Sequence, residues 1–136
     1  MNAREQATAD PPRIPLADFG KDHWSALGYI ETRVVDHGGV PVSEHLRCID
    51  RRHPFFAHRG GDASRYPTHL KGGRTVANHD DWDCLDDLEA AGLLENRGTG
   101  ANPVYGLTSR GEEVAGKLRA HKGRGGTWSE FFVEAT

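Results

Sequence analysis

Residues 80–107 read DDWDCLDDLEAAGLLENRGTGANPVYGL, and the segment TSRGE (108–112) follows directly. The first part of this stretch predicts a helix over about 80–91, because its apolar side chains recur at helical spacing. The inward-facing residues of that helix are Trp82, Leu85 and Leu88. Gly92 ends it, since glycine readily adopts the left-handed conformation found after helix C-termini. We expect Asn78 to cap its start.

Two short strands and a second helix follow. A strand beginning at Leu93 pairs with a strand over 104–107, and the turn-rich NRGTGANP between them forms a hairpin tip. Ser109 and Glu112 have the spacing of a capping box, which predicts a helix running to about His121.

The segment LDDLEAAGLLE (85–95), followed by YGLTSRG (105–111), resembles the winged helix-turn-helix regulators of the MarR and PadR type. The resemblance covers about residues 80–120. Its hallmarks are a leucine-bearing helix end that leads into "GLL", a hairpin wing, and an "LT..G" start of the next helix. It implies a winged helix fold in which the helix before the wing is the third and often enters the DNA major groove.

The first half of the chain is compatible with this order. A first helix is predicted from Asp22, its N-cap, to Asp36, ending at Gly38-Gly39. A short second helix follows, capped by Ser43. Residues 51–79 contain two Gly-Gly pairs and two prolines, so we expect a long irregular insert between helices two and three.

The predicted fold class is therefore α+β and mostly helical, a winged helix-turn-helix with an insert. Its predicted parts are a disordered leader (1–17), the winged helix domain (18–122, insert 51–79) and a C-terminal tail (123–136). The aromatic residues of the tail are expected to pack back onto the domain or onto a partner.

Composition narrows the class of protein. The chain has 136 residues, 36% of them hydrophobic, and a formal net charge of −3, so it is not a general polyanion binder. Two cysteines provide no disulfide framework and favour a reduced, cytoplasmic setting. No apolar run approaches a membrane span, which predicts no membrane association.

The charge of the third helix conflicts with the function that the resemblance implies. Residues 80–95 contain seven acidic side chains and neither Lys nor Arg. DNA phosphates would repel such a helix. We therefore expect it to present a solvated acidic face and not to read bases.

Cations are concentrated elsewhere, in the insert and at the hairpin tip. Interleaved with Phe55, Phe56 and Tyr66, these cations predict a surface that holds phosphates and stacks on bases. The alternative is that they pair with the acidic third helix. The predicted nucleic-acid-binding residues are Arg47, Arg51, Arg52, Arg59, Arg65, Lys71, Arg74 and Arg97.

Two histidines and two cysteines suggest a zinc site. His45 and Cys48 share a helix face, and His79 and Cys84 bracket the start of the third helix. His53, His58 and His69 in the insert are alternative ligands. The alternative to a metal site is that the cysteines are ordinary buried residues. No nucleophile motif, phosphate loop or nucleotide fingerprint is present, which predicts that the chain is not an enzyme.

Two functions remain. The first is a non-catalytic winged helix module in transcriptional control or a related process, touching DNA through the basic insert and the wing. The second is a protein-interaction winged helix that does not bind DNA. Its acidic helix, with an exposed Trp82, or its tail, with Trp128 and Phe131, would dock on a partner. A homodimer is compatible with either function.

Overall fold

A computed structural model describes residues 13–42, 45–46, 67–76, 79–99 and 102–133. The described chain is α+β, with three helices and two small antiparallel sheets. The helices are α1 (Lys21–His37), α2 (Asp81–Ala90) and α3 (Ser109–Gly123). One sheet pairs β1 (Thr68–His69) with β2 (Thr75–Val76), and the other pairs β3 (Leu94–Asn96) with β4 (Tyr105–Leu107).

Helix α1 buries apolar residues that recur at helical spacing: Trp24, Leu27 and Ile30 are fully buried. The predicted N-cap is wrong, because α1 begins at Lys21 and Asp22 lies in its first turn. The Asp22 carboxylate instead accepts a hydrogen bond from the backbone N–H of His69 at 2.6 Å, and thereby holds β1 against the helix.

The end of α1 docks against the second hairpin. Gly38 follows the helix in the left-handed conformation, with φ 66°. Gly39 also has a positive φ of 93°, and a Cβ atom there would collide with the carbonyl oxygen of Tyr105. The Tyr105 N–H donates to the Gly39 carbonyl at 2.9 Å, so glycine is required for this close approach.

Helix α2 is the predicted third helix, but its cap differs. Asp80, not Asn78, is the N-cap: its carboxylate accepts from the Asp83 N–H, and the Asp83 carboxylate accepts from the Asp80 N–H, each at 3.1 Å. Gly92 follows the helix with φ 83°, as predicted. The β3–β4 register then pairs Leu94 with Leu107.

Helix α3 begins one residue earlier than the predicted capping box requires. Thr108 is the N-cap and accepts from the Gly111 N–H at 2.9 Å, so Gly111 occupies the third helical position and the box between Ser109 and Glu112 does not form. The close contact of Gly111 with the Leu93 carbonyl leaves no room for a side chain. The helix continues to Gly123, two residues beyond its predicted end.

The core lies where α1 crosses α2 and the second hairpin. Both ends of the described chain add to it. In the predicted leader, Ile14 and Leu16 pack against the core, while residues 1–12 lie outside the described ranges. In the predicted tail, Phe131 is buried and meets Trp24 edge-on, with ring centroids 4.9 Å apart.

The α2–β3–β4–α3 order matches the predicted helix–wing–helix half. Most of the predicted second helix lies outside the described residues, so the winged helix class stays a prediction. The insert 51–79 is not irregular throughout, because its described part contains the β1–β2 sheet; residues 51–66 and 77–78 lie outside the described chain.

Candidate functional site

Three ionisable side chains meet inside the core. The Nε2 atom of His23 and the Nε2 atom of His79 each lie 2.8 Å from the same oxygen, Oδ2 of Asp87. Their relative exposures are 0%, 2% and 0%, respectively, so solvent does not reach them. We call these three residues the histidine–aspartate cluster.

Three segments supply the cluster. His23 lies in the first turn of α1 and stacks on Phe19, with ring centroids 4.2 Å apart. Asp87 lies on the buried face of α2, one turn after Asp83. His79 lies just before the N-cap of α2. The packing of α1 against α2 brings His23 and Asp87 together across 64 residues of sequence.

Two further segments hold the cluster from outside. The Ile14 N–H donates to the other Asp87 oxygen, Oδ1, at 3.0 Å. The Thr68 hydroxyl in β1 lies 2.6 Å from the His79 carbonyl oxygen and 2.8 Å from His79 Nδ1. The cluster therefore ties the N-terminal segment, α1, β1 and α2 into one unit.

The hydroxyl of Thr68 determines where His79 carries a proton. The carbonyl oxygen of His79 can only accept, so the single hydroxyl proton points to it. The hydroxyl oxygen must then accept from His79 Nδ1, which therefore carries a hydrogen. The second ring nitrogen of His79, Nε2, is the one that faces Asp87.

Burial and hydrogen bonds act in opposite directions on the two shifted groups. Burial lowers the pKa of His23 below its ordinary value, and the hydrogen bond to Asp87 only partly offsets that effect. Burial works to raise the pKa of Asp87, but hydrogen bonds from His23, His79 and the Ile14 backbone outweigh it and hold the pKa below its ordinary value. The cluster therefore contains a buried carboxylate and a neutral His23.

The three described members of the predicted zinc set, His45, His79 and Cys84, do not form a cluster of metal ligands. Among the described residues, His79 belongs to the cluster, whereas the Nδ1 atom of the exposed His45 pairs with the Tyr29 hydroxyl at 3.0 Å. Cys84 is buried with its sulfur 4.0 Å from His79 Nδ1, on the ring edge away from Asp87. Cys48 lies outside the described residues.

His23 and Asp87 were not predicted from the sequence. His23 lies on the apolar face of α1, which was a usable signal for its burial but not for its pairing with Asp87.

Of the predicted nucleic-acid-binding residues, three are described and all three are exposed. Lys71 lies over the Phe132 ring at 4.4 Å, Arg74 is 3.5 Å from Asp18, and Arg97 is 2.6 Å from Glu95. Outside the described residues lie Arg47, Arg51, Arg52, Arg59 and Arg65.

Lys71, Arg74 and Arg97 lie in two separate places. Leu70, next to Lys71, contacts Gly20 at the start of α1, whereas the hairpin with Arg97 is anchored on Gly39 beyond its end. A helix of 17 residues is about 25 Å long. One phosphate group therefore cannot meet both places.

The expectation of a solvated acidic face on α2 is wrong for its inner side. Asp80, Asp83 and Asp87 are buried, because they cap the helix and build the cluster. The contact residues assigned to the protein-interaction alternative change as well: Trp82 and Phe131 are buried, at 4% and 7% exposure, and Trp128 is half-buried.

Comparisons with protein-family models, curated proteins and solved structures found no match to this chain. Over the described ranges, none of the helices has both the length and the apolar character needed to cross a membrane.

Proposed function

We propose that this chain is a non-catalytic, winged-helix-like module that binds nucleic acid through cations outside α2. The observation that carries the proposal is the inward orientation of the α2 acids. Because Asp80, Asp83 and Asp87 point into the core, α2 and its N-cap present fewer carboxylates at the surface than the sequence suggests.

The remaining acids near α2 are partly neutralised. Asp86 lies 4.0 Å from Arg13, and Glu95 binds Arg97. The burial that hides the acids also keeps the first turn of α2 out of a DNA groove, since Trp82 and Asp83 are covered by the rest of the chain. The proposed module therefore does not read bases with this helix.

The proposed contact surface consists of the basic insert and the hairpin. Lys71, Arg74 and Arg97 are exposed, and each holds its charge near the surface where a phosphate can compete for it. The two groups lie at opposite ends of α1, so the fitting ligand is an extended polyanion and not a single nucleotide. The absence of catalysis is part of the proposal, because the ionisable cluster is sealed from any substrate in solvent.

Fluorescence anisotropy with labelled duplex and single-stranded DNA tests the proposal. We expect binding that weakens steeply between 50 and 200 mM salt, because each neutralised phosphate releases counterions, by roughly tenfold for two to three contacts. The triple variant Arg51→Glu, Arg52→Glu, Arg59→Glu should lower the affinity at least tenfold. Lys117→Glu, a charge reversal at an exposed position on α3 outside the proposed surface, is the control for a nonspecific effect of charge.

Two results decide against the proposal. If the triple variant binds DNA with unchanged affinity, the three arginines do not contribute to the contact surface. Failure to bind either DNA at 50 mM salt, together with a stable co-purifying protein, would favour the protein-interaction alternative.

A further inference from the structure

We propose that His23, His79 and Asp87 bind one divalent transition-metal ion, best matched by Zn²⁺, through His23 Nε2, His79 Nε2 and Asp87 Oδ2. These three atoms lie within 4.8 Å of one another. The site is independent of the proposed nucleic-acid binding, and it differs from the set predicted from sequence in all but His79.

The main argument comes from the hydrogen-bond partners of His79. The Thr68 hydroxyl donates its hydrogen bond to the His79 carbonyl, so its oxygen can only accept from His79 Nδ1. That nitrogen therefore carries a hydrogen. In a neutral His79, Nε2 is then a bare lone pair that faces a carboxylate oxygen at 2.8 Å. A hydrogen bond from Nε2 to Asp87 therefore requires a second proton on His79. A metal ion bound by Nε2 and Oδ2 engages the same two lone pairs without that proton.

The groups around the ligands are those of a metal site. Metal-bound histidines usually donate their other N–H to an oxygen, as His79 does to Thr68. Ligating carboxylates are usually hydrogen-bonded in turn, as Asp87 is by the Ile14 N–H. Two imidazoles and one carboxylate are a donor set that zinc accepts when a water molecule supplies the fourth ligand.

The geometry requires a small adjustment. Zinc bonds of about 2.0–2.1 Å at tetrahedral angles place two ligand atoms roughly 3.3 Å apart. The Nε2–Oδ2 distances of 2.8 Å must therefore open slightly, which side-chain rotation allows. Because the ligands are buried, the ion would hold α1 to α2 and would not be open to a substrate.

His23 is the weakest of the three ligands. Its Nδ1 is buried and has no hydrogen-bond partner among the described residues. When Nε2 binds a metal, Nδ1 must carry the proton, and that N–H stays unsatisfied. We therefore expect His23→Ala to weaken metal binding less than Asp87→Asn does.

The first measurement is metal content. Chain stripped with a chelator is incubated with ZnSO₄, desalted and analysed by elemental analysis, and Co²⁺ is used as a spectroscopic probe of a tetrahedral site. We expect one zinc ion per chain and visible Co²⁺ ligand-field bands. Asp87→Asn should abolish both.

A second set of variants keeps the test valid if Asp87→Asn does not fold. Thr68→Val leaves the three ligands in place but removes the oxygen that orients His79, and should lower zinc affinity 10- to 100-fold. His45→Ala and Cys84→Ala, which alter residues of the set predicted from sequence, should keep full metal content.

Two results would overturn the site. One is metal content lost in His45→Ala or Cys84→Ala and retained in Thr68→Val. The other is a chain that takes up neither zinc nor Co²⁺; protons on both ring nitrogens of His79 in its nitrogen NMR spectrum would then show that a hydrogen bond joins His79 to Asp87.

Discussion

The strongest prediction for folding concerns the Asp87 carboxylate. Asp87→Asn keeps the shape of the side chain but replaces an acceptor of three hydrogen bonds by an amide. When the new amide turns its oxygen toward the two histidines, its NH₂ group faces the Ile14 N–H. Two hydrogen-bond donors then lie opposite each other. The variant also removes the negative charge that His79 faces.

The expected loss follows from these contacts. Hydrogen bonds to a charged group contribute about 1.5–3 kcal/mol each, so the loss of two of them here costs about 4 kcal/mol. Since the unfolding free energy of a domain is roughly 5–15 kcal/mol, this loss is a large fraction of it. For a chain of 136 residues, the unfolding entropy is about 0.3 kcal/mol per kelvin, so a loss of about 4 kcal/mol lowers Tm by about 14 °C.

Urea unfolding and thermal scans of chelator-treated protein measure the effect without any contribution from metal. The matched control is Asp86→Asn, the neighbouring acid on the same helix. It is partly exposed and lies 4.0 Å from Arg13, so its loss should cost less than about 1 kcal/mol. Equal stabilities of Asp87→Asn and Asp86→Asn would refute the argument that the buried carboxylate organises the fold.

Three further pairs of substitutions test the packing around α1 and α3. Gly39→Ala should lower the free energy of unfolding in urea by at least about 2 kcal/mol, and Gly38→Ala by about 1 kcal/mol. Both residues have a positive φ, but only a side chain at Gly39 would collide with the Tyr105 backbone, so equal losses would contradict the close approach. Phe131→Ala should cost about 3 kcal/mol and Phe132→Ala less than about 1 kcal/mol, since the first ring is buried and the second is 54% exposed; similar Tm values would show that the tail does not pack. Thr108→Ala should cost about 1 kcal/mol by loss of the helix cap, and Thr108→Ser should restore it.

The sequence predicted the helices and turns that depend on residues close together in the chain. The apolar spacing of α1, the glycine stop at Gly92 and the turn-rich hairpin all depend on neighbours within a few residues, and each appears in the structure. The caps were less predictable. Asn78, Asp80 and Asp81 are each suitable N-caps, and the choice among them depends on tertiary contacts.

The histidine–aspartate cluster was not predictable for a different reason. An aspartate on an amphipathic helix normally faces water, and nothing within one helical turn distinguishes Asp86 from Asp87. The difference arises from partners 64 and 73 residues away, His23 and Ile14. Only the folded chain shows which acid is turned inward.

Two hydrogen bonds to side chains of α1 hold the chain on either side of the segment that follows the helix. His45 is held at Tyr29, and His69 is held at Asp22, seven residues earlier on the same helix face. These anchor points are about 10 Å apart along α1, so the chain between them leaves the helix and returns close to where it left. Because loop-closure entropy changes by only about 0.6 kcal/mol when a loop doubles in length, we expect the framework to tolerate changes in the length or charge of residues 47–66. Such changes would leave both anchors and the buried Thr68 in place.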